Sequence, residues 1–278
     1  MEKIENTIDL LKASWNVLKK DREILFFPVL SGISVLVLLA SFVVPMFLVG
    51  DPAAVRRIVN EDRDTLMMMG FVFYFLNYLI IIFFNSAIVA CATIRMKGAD
   101  PTFFDGLNIA ASRMHHIIMW ALVSATLGMI FRMIQEKSNF LGKVIGGLLG
   151  IAWSLTSYFV VPVMVNENKG PFDSFMDSVE LIKKTWGENI LGNMSFGLIF
   201  TIASLPACLA VVAGVAWGKG ALVLPLGIFA VGYLLILAIV QSALQGIFQA
   251  ALYQFARFGN APPGFREEQL RHAIKRKY

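Results

Sequence analysis

Amide side chains are the groups in this chain best placed to do chemistry. Gln241, Gln245 and Gln249 recur every four residues within a stretch that carries no charge, so a helix aligns them on one face. The same spacing continues to Tyr253 and Arg257. An amide both donates and accepts hydrogen bonds. A stripe of them can therefore wall a hydrated cavity or lipid-headgroup path, or bind a neighbouring helix for about 0.6–2 kcal/mol per contact inside a membrane. Both readings stay open. Asn77 and Asn85 lie eight residues apart, roughly two helical turns, and offer a second pair of amides on one face. Gly142, Gly146, Gly150 and Ser154 form a ridge of small residues, the kind that lets two helix backbones approach closely. His115 and His116 are adjacent; such residues point about 100° apart on a helix and make a poor chelating pair. Anchoring at a membrane interface suits them better.

The groups on which most membrane catalysis and coupled transport depend are missing from the expected places. No Asp or Glu falls inside the long apolar stretches, which argues against acidic proton or sodium carriers. There is no phosphate-cradling Gly-rich loop with its Lys and Ser/Thr, and no His-rich metalloprotease spacing with a glutamate. Neither a catalytic residue set, a cofactor nor a metal site is expected, and an enzyme is disfavoured. Cys91 and Cys208 lie in apolar stretches and read as small buried hydrophobes. The net charge of +5 could suggest nucleic acid, but no basic stripe interleaved with aromatics accompanies it, so no nucleic-acid partner is expected.

The elements that position these residues are apolar helices. Six stretches, residues 24–49, 65–94, 117–131, 144–166, 190–217 and 221–256, contain no Asp, Glu, Lys or Arg. Crossing a bilayer takes about 20 apolar residues in a helix, and most of these stretches reach that length. Composition agrees: 57% of the residues are hydrophobic and only 15% charged, with a mean hydropathy of +0.69. The expectation is an all-α integral membrane protein with about six transmembrane helices and no extramembrane stretch large enough for a catalytic domain. The third crossing reaches full length, 114–134, if Arg132 snorkels to the headgroups. The last is long for a single crossing, so its C-terminal half should extend past the hydrocarbon. The first is longer than a signal-peptide core and follows a charged amphipathic segment, so it is expected to be a retained span.

Basic residues set the orientation. The N-terminal segment, the loops around 95–113 and 169–184, and the C-terminal tail together carry more than twice as many Lys and Arg as the opposite loops. The positive-inside rule then places both termini in the cytoplasm, with the protein in the cytoplasmic (inner) membrane.

An internal repeat organises the spans. Each pair is preceded by an amphipathic segment on the cytoplasmic side. The first places Ile4, Ile8, Leu11, Trp15 and Leu18 at helical spacing. The second opens on Asp100-Pro101, read as an N-cap with proline at the first helical position, and places Phe104, Leu107, Ala111 and Met114 on one face. The third opens on Gly170-Pro171 and groups Phe172, Phe175, Val179, Ile182 and Trp186. One amphipathic helix plus two crossings returns the chain to its starting side, so three such units run parallel about a pseudo-threefold axis. The boundaries are 1–96, 97–168 and 169–256, with a basic tail at 257–278, all within a single membrane domain. Trp15, Trp186 and Arg113 are the expected interfacial anchors, and the lysines of these segments should meet anionic headgroups on the cytoplasmic side.

The run Tyr158 to Gly170, with Ser178 and Trp186 beyond it, and the opening Leu11-Lys12-Ala13-Ser14-Trp15 with Phe26-Phe27-Pro28, resemble a known pattern. It is that of the membrane domain found beside glycerophosphodiester phosphodiesterases and of related stand-alone bacterial and archaeal membrane proteins of unknown function. The resemblance implies a polytopic helical fold and no established activity. The chain has no room for the phosphodiesterase barrel. Two readings follow. One is a non-enzymatic structural or accessory membrane component that binds lipids, another membrane protein or a second copy of itself. The alternative is a permease or lipid-handling protein with a polar cavity between the repeats.

Overall fold

A computed structural model describes residues 2–48, 63–137, 140–186, 195–216 and 220–273. Among the described residues the regular secondary structure is all helical. The helices are α1 (Glu2–Lys20), α2 (Phe26–Leu48) entered through a 3-10 turn at Arg22–Leu25, α3 (Arg63–Met96), α4 (Phe103–Ser112), α5 (Met114–Lys137), α6 (Phe140–Thr156), α7 (Val160–Glu167), α8 (Pro171–Trp186), α9 (Ser195–Ala216), α10 (Gly220–Phe258) and α11 (Glu267–Ala273).

Five described stretches are long and apolar enough to cross a membrane: Arg22–Pro45, Asp64–Met96, Met114–Gln135, Val144–Glu167 and Val223–Phe258. The sixth expected crossing is represented by α9. Its apolar part, Ile199–Gly214, is shorter, about 24 Å at 1.5 Å per residue against ~30 Å of hydrocarbon. Residues 190–194 and 217 of that expected crossing lie outside the described residues.

Two departures from the sequence reading have local causes. The fourth span is broken: α6 ends at Thr156 and α7 begins at Val160. Pro162 stands third in α7, where its missing N–H is one a helix start leaves unpaired anyway. The second amphipathic helix starts at Phe103, not after Asp100. The Asp100 carboxylate goes to Arg95 instead of capping a helix. α3 closes with Gly98 at φ +88, the left-handed conformation that glycine adopts freely.

The chain divides into two units, one of Met1–Pro28, Cys91–Thr102 and Lys183–Tyr278, the other of Val29–Ala90 and Phe103–Ile182. In the first, α9 and α10 pack side by side. Tyr233 Oη donates to the Ala203 carbonyl at 2.7 Å, and a Cβ on Gly214 would come within 3.3–3.7 Å of Leu226 and Val223. α1 lies along α10 and also touches α9 and α11, and Asn6 Nδ2 donates to the Gln269 carbonyl. The buried residues of α1 are Thr7, Leu10, Ala13, Ser14, Val17 and Leu18. Of the stripe expected from hydropathy, Leu18 is buried, while Ile8 and Trp15 are each 39% exposed. Ser14 can face the interior because its hydroxyl donates to the Leu10 carbonyl of its own helix.

In the second unit, α5 packs on α6, and α4 on α5. Burial runs in gradients along the long helices. α3 exposes Leu66, Met67, Met68, Val72 and Ile81, then is buried at every residue from Ser86 to Thr93. α10 exposes Leu224, Ile228, Phe229, Leu235 and Ile236, whereas from Gly246 to Ala256 only Gln249 and Gln254 are not fully buried. The exposed ends are apolar, as lipid requires; the buried end of α10 is where α1 lies.

Candidate functional site

The most constrained polar arrangement surrounds the broken span. A helix break leaves carbonyls at one end and N–H groups at the other without partners, and in hydrocarbon each such group costs several kcal/mol. Turn bonds satisfy part of the demand: Ser157 N to Trp153 O, Tyr158 N to Leu155 O, and Val160 N to Ser157 O, at 2.9–3.1 Å. Ser178 of α8 closes the rest. Its Oγ donates to the Thr156 carbonyl at 2.6 Å and accepts from the Phe159 N–H at 3.0 Å, and the residue is fully buried. Because both hydrogen-bonding functions of this hydroxyl are engaged, it is a bridge and not a nucleophile awaiting a base.

The face of α8 that carries Ser178 does more. Phe175, one turn earlier, stacks on Trp153 of α6 (centroids 5.3 Å apart, planes 25° apart), and Trp153 stacks on Trp120 of α5 at 5.3 Å and 26°. Three helices are joined through one aromatic column. At the entrance of α8, Asn168 adopts a left-handed conformation at φ 54 and Ser174 N bonds back to the Gly170 carbonyl. Lys169 Nζ reaches Glu167 at 2.9 Å and Asp177 at 2.5 Å. The hydrogen bond to Asp177, then that to Glu167, pushes the Lys169 ammonium above its ordinary range.

The other unit holds a second polar knot. Arg95, at the end of α3, forks onto the Asp21 carboxylate between α1 and the 3-10 turn and also pairs with Asp100. The Asp21 side chain is 3% exposed and that of Asp100 87%, so the first pair is interior and the second is at the surface.

The residues singled out by sequence are distributed as follows. Gln241 and Gln249 are half-buried on α10 and Gln245 is exposed; Tyr253, next on that spacing, is buried. Asn77 and Asn85 are half-buried on α3. The glutamines belong to one unit and the asparagines to the other. Of the small-residue ridge, Gly146 is packed so tightly that a Cβ would sit 2.7 Å from Gln135 Cγ, while Gly150 faces open space. Gly142 is half-buried and Ser154 exposed. Trp15 is part-exposed with Lys19 Nζ 5.9 Å from its ring centroid; the Trp186 side chain lies outside the described residues. Arg113 is the single turn residue between α4 and α5. The His115 and His116 rings meet after all, their centroids 3.8 Å apart. Among the described residues no group of three metal-ligating side chains occurs.

Sequence reading missed Ser178 as a bridge, the Trp120–Trp153–Phe175 column and the Asp21–Arg95 pair. Pro162 within an apparent span was the available signal for the first. For the pair, no local signal exists, since the partners are 74 residues apart.

No curated protein and no solved structure matches the chain. A family model described as a family of unknown function, DUF6159, matches residues 65–263. That match takes in α3 through α10, well over half the chain, and the protein belongs to this family.

Proposed function

We propose that this protein is a non-enzymatic, structural or accessory component of the cytoplasmic membrane that binds lipids or other membrane proteins. One observation carries the reading. Transporters with broken spans leave half-helix ends free to face substrate; here the one break within a described span is tied shut by a buried serine from α8. The fragment beyond it is buried from Val160 to Val165. Its design serves packing. Gln245, an exposed amide on an apolar helix, is suited to hydrogen-bond a neighbouring membrane helix.

In this reading both termini are cytoplasmic, as the basic residues favour. The chain is built of three parallel units, 1–96, 97–168 and 169–256, about a pseudo-threefold axis, ahead of the basic tail 257–278. The placing of an amphipathic helix, α1, α4 or α8, before each set of apolar helices supports this.

Purification from native membranes in mild detergent, followed by mass spectrometry of what remains bound, tests the reading. A stoichiometric protein partner is expected. A lone chain that holds one defined metabolite would favour the second reading, a permease with a polar cavity. One observation favours that alternative: Thr93 Oγ1 and Gln254 Nε2 are shut off from solvent without a partner among the described residues, as groups satisfied by cavity water would be. Replacing Gln241, Gln245 and Gln249 together by leucine should leave an accessory protein folded and still partner-bound, weaker only by the single Gln245 contact of about 0.6–2 kcal/mol, but should abolish transport by a permease.

A further inference from the structure

Arg113, His115 and His116 bring three basic side chains to the head of α5 within four residues. Arg113 is half-buried, and its Nε is closed off from solvent with no hydrogen-bond partner among the described residues. The same holds for His116 Nδ1. No carboxylate among the described residues forms an ion pair with Arg113. An arginine Nε always carries a proton to donate, and a shielded donor without an acceptor costs about 1–3 kcal/mol. Nε itself is out of reach from outside, so an acceptor that binds from outside the chain would meet the other N–H groups of this half-buried guanidinium.

What that acceptor is follows from the surface below it. His115 is exposed, and Ile118, Met119 and Leu122 continue its face at helical spacing. Each of the three apolar side chains is 41–46% exposed. They lie within a stretch able to span the membrane, Met114–Gln135, with Leu122 about 10 Å along the helix from His115. The face has an exposed imidazole at its head, beside the turn that carries Arg113, and is apolar below, over the length of a headgroup and the start of its acyl chains. A soluble phosphate would use the head alone and leave the apolar stripe without purpose.

We propose that Arg113, His115 and His116 hold the phosphate of an anionic phospholipid whose acyl chains lie along Ile118, Met119 and Leu122. The planar guanidinium fork suits phosphate oxygens, and the two imidazoles add donors beside it. The site rests on the membrane-bound part of the proposed function and not on a protein partner. An absent protein partner leaves it standing, and its failure leaves a co-purified partner unaffected.

The experiment uses the full chain in nanodiscs of phosphatidylcholine with an equal share of phosphatidylglycerol, with retained lipid counted by native mass spectrometry after release. The wild type should keep phosphatidylglycerol over phosphatidylcholine. Arg113→Gln should lower that preference about fivefold, the worth of one basic residue at an anionic surface. Arg113→Lys should fall between, since it keeps the charge and loses the fork. His115→Gln, at an exposed position that threatens no packing, should lower it about threefold, the worth of one hydrogen bond. Lys97→Gln, an exposed cation of the turn between α3 and α4, should lower it by much less than Arg113→Gln, since a dispersed surface charge holds no particular lipid. Circular dichroism confirms that each variant is folded. Equal retention of both lipids by the wild type, an unchanged Arg113→Gln and His115→Gln, or an equal fall with Lys97→Gln would overturn the site. Saturable binding of inorganic phosphate in pure phosphatidylcholine discs, without phosphatidylglycerol preference, would also overturn it, by reassigning the head to a soluble phosphate.

Discussion

Ser178 and Ser14 illustrate how a buried hydroxyl is made tolerable in an apolar protein. Ser14 satisfies itself within α1; Ser178 satisfies two backbone groups that a broken helix has left open. Removing it therefore strands a donor and an acceptor, each in the interior. Ser178→Ala should destabilise the protein by about 2–4 kcal/mol, because leaving a buried group unsatisfied costs about 1–3 kcal/mol. Ser14→Ala should cost less than 1 kcal/mol, since its acceptor Leu10 O already belongs to the helix ladder. Denaturation of the purified chain in mild detergent measures both, and equal effects would contradict the bridging role. A parallel contrast applies to Arg95. Asp21→Ala leaves a part-buried guanidinium without its interior partner and should cost several times more than Asp100→Ala, which removes a surface pair of the kind that contributes little. Beyond Pro162, a signal of a break within an apparent span, none of this was legible in sequence. Serine at helical spacing reads the same whether it faces a break, a carbonyl or water, and the Asp21–Arg95 pairing depends on how distant segments meet.

At the scale of elements, the amphipathic helices were legible in existence, while the residues they bury were not. Hydropathy turned Ile8 and Trp15 of α1 towards the membrane interface, and both are exposed; the buried residues include Thr7, Leu10, Ser14 and Val17. Such a face is hard to read because in a membrane protein the more apolar face can turn to lipid while small, self-satisfied residues pack inside. The break in the fourth span was marked by Pro162 alone, because residues 144–166 are charge-free on both sides of it and apolar continuity does not reveal backbone continuity. α8 is where these lessons meet, since it bridges the break and completes the aromatic column. Phe175→Ala should cost about 2 kcal/mol, less than the ~3–5 of a fully buried phenylalanine because it is only half-buried. It should also change the near-ultraviolet circular dichroism of the stacked Trp120 and Trp153 while the far-ultraviolet spectrum stays constant. The entrance of α8 adds a pH dependence. The Lys169 pKa is raised above its ordinary 10.5 by Asp177 and Glu167. The stabilisation it contributes is therefore complete below that value and lost as pH rises through the folded-state pKa. Thermal stability should show an extra loss above about pH 10.5 that Lys169→Met lacks, so that the wild type is the more stable near neutrality and its advantage shrinks as pH rises.

For the molecule as a whole, the number of crossings decides which side each terminus occupies. Five crossings, the number of described stretches long enough by themselves, put the termini on opposite faces; six put them on the same face. The deciding element is α9. Its apolar part is short, but its contacts with α10 run antiparallel: Ala203 meets Tyr233, and eleven residues later Gly214 meets Val223 and Leu226. The two helices therefore lie together over about 16 Å, more than half the ~30 Å hydrocarbon thickness. Along that length α10 exposes Leu224, Ile228, Phe229 and Leu235, and α9 exposes Ile202, Leu205, Leu209 and Val212. A helix that accompanies a spanning partner through that depth with an equally apolar outer face should cross with it. Six crossings and two cytoplasmic termini are the expected topology, in agreement with the excess of lysine and arginine on the loops that this arrangement places inside. Single cysteines at Lys20 and Arg266, both exposed, should then be labelled by a membrane-impermeant maleimide only after the cytoplasmic face is opened. Labelling of one from each side would give five crossings, remove α9 from the membrane and dissolve the threefold arrangement, since the third unit would then contribute one span instead of two.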